Sequence, residues 1–264
     1  MTKRMELLPI SKRLHGLIPR AIGDSNKLLA GYILFVLLLS SAALANPDES
    51  GSKSLQAVFE KGGNIFLKVE DNVIQLTKTG RDHAPLMSPD GKWVAFTREI
   101  ESKVKECSVK DEWICATERL WSIDLATRTE RMIVEPLEDD PDMRKVIGGF
   151  RNTTFSPDGK TLYFETPVWI TSGAIHAVEP GGKNERFVTD GDGLKIVKRS
   201  EDGKWVGHLV VRKHKYYLGG GAYDWYWLVA PEGKEIGPLG DDTEDYVQYF
   251  TESFKFEYME HGSH

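Results

Sequence analysis

The sequence predicts an all-β protein of about four antiparallel four-stranded units behind an N-terminal export or anchor segment. Three observations carry that reading: a charge-free apolar run near the amino terminus, a turn sequence that occurs three times, and short strand-like segments after each turn. Composition agrees. The 264 residues are 40% hydrophobic and 28% charged, with a mean hydropathy of -0.37, values that exclude a disordered, collagenous or polytopic membrane chain.

Leu28 to Leu44 reads LLAGYILFVLLLSSAAL, 17 residues without a charge, and Lys3, Arg4, Lys12, Arg13, Arg20 and Lys27 precede it. A basic stretch, an apolar stretch and the small-x-small sequence Ala43-Leu44-Ala45 together read as a signal segment. Two outcomes stay open for residues 1–45: cleavage after Ala45 as a signal peptide, or retention as a single membrane anchor with its basic side in the cytoplasm. Both place the rest of the chain in the periplasm or outside the cell. Residues 46–60, beginning Asn46-Pro47 and rich in Ser and Gly, are expected to be a linker, and residues 61–260 the folded domain. Removing the six basic and two acidic residues of the segment from totals of 34 and 40 leaves a net charge of -10, which argues against a nucleic-acid partner.

Cys107 and Cys115, with seven residues between them, are the only cysteines, and both fall in the exported part. In an oxidising compartment that spacing predicts a disulfide, which would stabilise by about 2.5 kcal/mol through loop closure.

The repeated turn is Ser88-Pro89-Asp90-Gly91-Lys92-Trp93, then Ser156-Pro157-Asp158-Gly159-Lys160-Thr161, then a weaker Ser200-Glu201-Asp202-Gly203-Lys204-Trp205. Each residue type has a turn role: Ser bonds back to the chain, Pro presets the next dihedral, and Gly accepts a left-handed conformation. The third copy lacks the proline, so its turn is less preorganised. Strand-like segments follow at Leu120–Leu125, Ala174–Glu179 and Trp227–Ala230, each with a polar turn and a further short strand such as Arg131–Val134 or Arg186–Val188. An incomplete first unit lies at Asn64–Val69 and Val73–Thr77, and strands at Tyr246–Phe250 and Phe254–Tyr258 remain at the carboxyl end.

Asp158 to Asp202 is 44 residues, the length of a propeller blade, whereas Asp90 to Asp158 is 68. The polar stretch Glu99–Glu118, which holds both cysteines, accounts for most of the excess as an insertion between two strands of one blade. The Ser-Pro-Asp-Gly-Lys turn followed by strand, strand, turn and strand resembles the TolB-like propeller repeat over residues 64 to about 258. The resemblance implies a periplasmic blade-built domain that binds other proteins and in most members has no catalytic site; similar blades also cap prolyl-oligopeptidase-type enzymes. Those propellers have roughly six or more blades, and this chain has room for about four. Closure is expected from the carboxyl-terminal strands joining the amino-terminal pair in one sheet; the alternative is a half ring completed by a second subunit.

No catalytic signature is found: the chain contains no Gly-x-Ser-x-Gly elbow, no His-Glu-x-x-His and no phosphate-binding glycine loop. No cofactor is indicated. His83, His176, His208 and His214 lie on different segments, Asp190-Gly191-Asp192-Gly193 lacks the further ligands of a calcium loop, and Glu138-Asp139-Asp140-Pro141-Asp142 reads as a solvated connection, so no metal site is assigned. The candidate binding residues are aromatic. In Tyr216 to Trp227, alternation puts Tyr223, Trp225 and Trp227 on one face and Tyr226 on the other, behind three glycines at a hairpin tip. Exposed, such a face would contact a protein or glycan; buried, it would pack between blades. The expected function is a noncatalytic module that binds an envelope or periplasmic protein, with a hydrolase or lyase at the propeller axis, or a tethered structural protein, as alternatives.

Overall fold

The Ser-x-Asp-Gly sequences close tight turns in the computed structural model, which describes residues 56–103, 116–169, 171–241 and 256–259. The N-terminal segment, Cys107, Cys115 and Tyr246–Phe250 lie outside these residues. In each turn the glycine N–H donates to the serine carbonyl, at 2.9 Å for Gly91 to Ser88, 2.8 Å for Gly159 to Ser156 and 3.1 Å for Gly203 to Ser200. The serine hydroxyl accepts from the backbone N–H five residues on, at 2.9 Å from Trp93, 3.0 Å from Thr161 and 3.1 Å from Trp205. It also donates to the aspartate at 2.6 Å in the first two turns, and at only 3.4 Å between Ser200 and Asp202.

Among the described residues, sixteen strands form four consecutive antiparallel sheets, the blades of a small β-propeller. Blade 1 has three strands, β1 (Gln56–Glu60), β2 (Ile65–Val69) and β3 (Asn72–Gln75). Blade 2 has four: β4 (Asp82–Met87), β5 (Trp93–Glu99), β6 (Glu118–Asp124) and β7 (Thr129–Val134). A short 3-10 turn, Met143–Lys145, leads to blade 3: β8 (Arg151–Phe155), β9 (Leu162–Pro167), β10 (Gly173–Val178) and β11 (Arg186–Asp190). Blade 4 has five: β12 (Asp192–Ser200), β13 (Leu209–Tyr216), β14 (Ala222–Val229), β15 (Glu235–Gly240) and β16 (Phe256–Met259).

Two expectations change, and the third turn runs further than its sequence suggests. The folded part starts before residue 61, because Gln56–Glu60 pairs along β2. The carboxyl-terminal strand does not join blade 1; β16 pairs antiparallel with β12, Ile196 facing Met259 and Ser200 facing Phe256. Ile196 and Val197 are fully buried, so the backbone groups of β12 on the side away from β13 need a partner, and β16 supplies it. Trp205 to Gly207 are not strand: the third turn continues through Gly207, whose N–H donates to the Val197 carbonyl at 2.9 Å, and β13 begins only at Leu209. The Glu99–Glu118 insertion does leave between two strands of one blade, since Glu99 and Glu118 face each other at the open end of β5 and β6.

The core lies in layers between blades. Ile65 packs with Val94, Phe96 and Ile123; Ala95, Leu120 and Ile133 pack with Phe155, Leu162 and Phe164; and Tyr163, Ile175 and Val188 pack with Leu194, Leu209 and Val211. Alternation feeds both faces of each blade, so β9 is buried over five of its six residues. Arginines clamp the joints at their rim: Arg131 donates to the Gly181 carbonyl and Arg186 to the Pro231 carbonyl, each at 2.7 Å across to the next blade.

Candidate binding surface

The register aligns the three complete blades at one interior position. On the third strand, Trp121 opposes Phe96, His176 opposes Phe164 and Trp227 opposes Val211. A glutamate at the start of the fourth strand serves each interior: Glu130 bonds Arg98, Glu185 bonds His176 Nδ1 and Glu235 bonds Lys213, all at 2.7 Å. These glutamates were not singled out from the sequence, because their role depends on pairing across strands. The ring nitrogens Trp121 Nε1, His176 Nε2 and Trp227 Nε1 are buried without a hydrogen-bond partner among the described residues.

Blade 4 carries this frame into a longer hairpin. Strands β13 and β14 pair over eight residues, from Leu209 with Val229 to Tyr216 with Ala222. Its root is fixed by Lys213, which is fully buried and donates to Thr189 Oγ1 at 2.6 Å and Asp190 at 2.8 Å besides Glu235. Burial alone would raise the Asp190 and Glu235 carboxyls; the hydrogen bonds and charge of Lys213 outweigh it and hold both below the ordinary range. Lys215 also reaches Glu235, at 2.8 Å, and lies over the Trp227 ring at 4.9 Å.

The three aromatic candidates divide along β14. Trp227 packs against the layer between blades 3 and 4. Tyr223 and Trp225 lie further out, ring centroids 5.1 Å apart, and Tyr217 extends the row at 4.7 Å from Tyr223. Trp225 is 36% exposed, Tyr216 72% and Tyr217 56%, and Leu218 stands clear of the protein at the tip. Gly220 and Gly221 take φ of 95° and 90°, which lets the chain turn back with the Tyr217 N–H donating to the Gly221 carbonyl at 3.0 Å. The result is a protruding edge of aromatic and aliphatic surface on a rigid root.

The histidines stay apart. His176 is buried on Phe164 and Phe187, His208 meets Trp205 edge-on, and His214 bonds Asp224 at 2.8 Å. Among the described histidines, His83 alone joins a cluster of several carboxylates, between Glu60 at 3.3 Å and Glu99 at 3.4 Å, beside a cavity of about 250 Å³ lined also by Glu118, Thr97 and Phe150. Burial raises the Glu118 carboxyl despite a hydrogen bond from Thr97. Among the described residues no group of three or more His, Cys, Asp or Glu is placed to hold a metal ion. Asp190 and Asp192 are taken by Lys213 and Arg212, and Glu138 by Lys103 and the Ala116 N–H.

No protein-family model and no curated protein matches the chain. Among solved structures it is similar to TolB from Acinetobacter baumannii, at 18% identity and a TM-score of 0.41, over 74% of this chain and 42% of that one. It is also similar to a putative TolB from Agrobacterium tumefaciens (17% identity, TM-score 0.38, 67% of this chain and 57% of that one). A third is the β-propeller domain of the Trilobed protease from Pyrococcus furiosus (15% identity, TM-score 0.40, 67% and 49%). The chain spans less than two thirds of each of these proteins, and its blades are established by its own strand order and register.

Proposed function

We propose that this chain is an exported, noncatalytic propeller that binds another protein of the periplasm or cell envelope through the β13–β14 hairpin. The observation that carries the reading is the aromatic row at the end of the hairpin, in which Tyr217 and Trp225 are exposed and Tyr223 half-buried between them, with Tyr216 and Leu218 exposed at the tip, beyond a root held by a buried lysine. Aromatic side chains with few rotamers on a rigid support are the groups that dominate protein recognition. The proposed organisation keeps residues 1–45 as the export or anchor segment, and a Cys107–Cys115 disulfide braces the insertion of blade 2. The partner is a protein.

The test is capture from envelope extract by the wild-type chain and by Trp225→Ala. A specific partner retained by the first and reduced at least about tenfold by the second, at unchanged melting temperature, supports the reading. Equal capture by both removes the hairpin from it. A hydrolase or lyase has one observation in its favour, the convergence of Glu60, His83, Glu99 and the raised carboxyl of Glu118. Turnover abolished by Glu118→Gln would establish that alternative.

A further inference from the structure

The joints between blades are not equivalent at their turns. Between blades 2 and 3 the turns meet: a Cβ built on Gly159 would lie 2.9 Å from the Asp90 carboxyl group, which would have to shift to make room. At the matching position between blades 3 and 4, a Cβ on Gly203 would meet nothing within 4 Å. The third turn, without proline and extended through Gly207, stands away from blade 3. The gap is a cleft of about 520 Å³ walled by Pro157, Val206, Gly207 and Pro231, with Asp158 at its edge and Tyr163 among its lining residues.

Tyr163 is the residue the blade frame does not explain. The register places Ala95 of β5 and Val210 of β13 at the matching positions, both apolar and buried, where blade 3 has a tyrosine. Its ring fills the layer between blades 3 and 4, and the residue is only 2% exposed. No described residue hydrogen-bonds its hydroxyl, which burial raises to about 12, so it is a neutral donor at any physiological pH. A hydroxyl that lines the cleft without an acceptor from a described residue is a donor open to whatever occupies the cleft.

We propose that this cleft is a binding site for an extended peptide segment of a partner protein, one that lays an apolar side chain between Pro157, Val206 and Pro231 and accepts the Tyr163 hydroxyl on a backbone carbonyl. A basic residue next to that apolar one fits the site. Asp158 is held below the ordinary carboxyl range first by the Ser156 hydroxyl and stays anionic; its ion-pair partner in the fold is the exposed Lys160, 3.6 Å away, which a basic residue of the peptide would displace, and the exported part of the chain carries 38 acidic against 28 basic residues. The site is separate from the aromatic hairpin and does not require it.

The experiment is fluorescence anisotropy with an array of labelled hexapeptides, each placing Leu, Ile, Phe or Pro beside Lys or Arg, with the same peptides carrying Asp as controls. The proteins are the wild type, Tyr163→Phe and Val206→Trp; Val206 is 39% exposed, so the larger ring narrows the mouth of the cleft without entering the core. Expected are basic peptides that bind the wild type, weaken about fivefold on Tyr163→Phe and at least about tenfold on Val206→Trp, with Asp peptides weaker still. Tyr163→Phe without peptide should melt no lower than the wild type. A lower melting temperature would show that the hydroxyl is spent within the fold and would overturn the proposal. So would an array with no binding that responds to either substitution. Loss of capture by Trp225→Ala leaves both results unaffected, so the two sites fail separately.

Discussion

In blade 3 the hairpin β9–β10 has six residues per strand and is buried almost to its end, whereas in blade 4 β13–β14 runs eight and finishes in exposed Tyr216, Tyr217 and Leu218. The turn that opens blade 3 carries proline and a 2.6 Å Ser156–Asp158 bond; the one that opens blade 4 has glutamate, a 3.4 Å Ser200–Asp202 separation and a second turn appended. Blade 3 places a histidine against its interior glutamate, and blade 4 a buried lysine. One frame thus supports two uses. Where the repeat is kept the blade seals against its neighbour, and where it is relaxed surface is left for something else to cover.

The largest effect that would sharpen this contrast is at the root of the long hairpin. Lys213→Ala leaves Asp190 and Glu235 without their buried cation and should cost about 3 kcal/mol in chemical denaturation. A loss below about 1 kcal/mol would mean that the root is not what holds the hairpin. A smaller difference is expected between the turns. Ser156→Ala removes two hydrogen bonds, of 2.6 and 3.0 Å, and should cost about 1.5 kcal/mol, against about 0.5 kcal/mol for Ser200→Ala, whose bond to Asp202 is already long. Equal losses would break the distinction between tight and relaxed copies.

The smallest effects are those of pH. The Asp158 carboxyl lies below its ordinary value in the folded protein, so its stabilisation is present above the unfolded value of about 3.9 and is lost as pH falls through the lower folded one. Asp158→Asn should lower the melting temperature at pH 7, with the gap narrowing toward about pH 2. Glu118 behaves in the opposite sense. Burial raises its folded value, so its stabilisation is present below the unfolded value of about 4.3 and is lost as pH rises through the folded one. Glu118→Gln should therefore raise the melting temperature at pH 7 and make no difference near pH 3. A uniform shift across pH for either variant would mean that the carboxyl charge is not the cause.

Much of the frame is legible along the chain, because turns and alternating strands are local. Ser88 to Gly91 and Ser156 to Gly159 contain all the groups that bond within their turns, and the strands that follow them carry their apolar pattern in adjacent residues. What escapes is set by partners distant in sequence. Gln56–Glu60 looks like linker until β2 lies beside it, and β16 joins β12 because buried Ile196 and Val197 leave an edge to cover. Trp225 and Trp227 share a face by alternation, and only the neighbouring blade decides that Trp227 is covered and Trp225 is not. Tyr163 reads as one more strand aromatic until its matching positions prove to be Ala95 and Val210.

The claim at the centre is that the end of the β13–β14 hairpin is a recognition surface. It is tested most directly by titrating the recovered partner against the wild type and against the Tyr217→Ala/Trp225→Ala pair, with melting curves for both. The expected result is affinity at least about tenfold weaker at a melting temperature within about 2 °C of the wild type. Undiminished affinity, or a collapse in melting temperature that carries affinity down with it, would contradict it and return those aromatics to the packing of the fold.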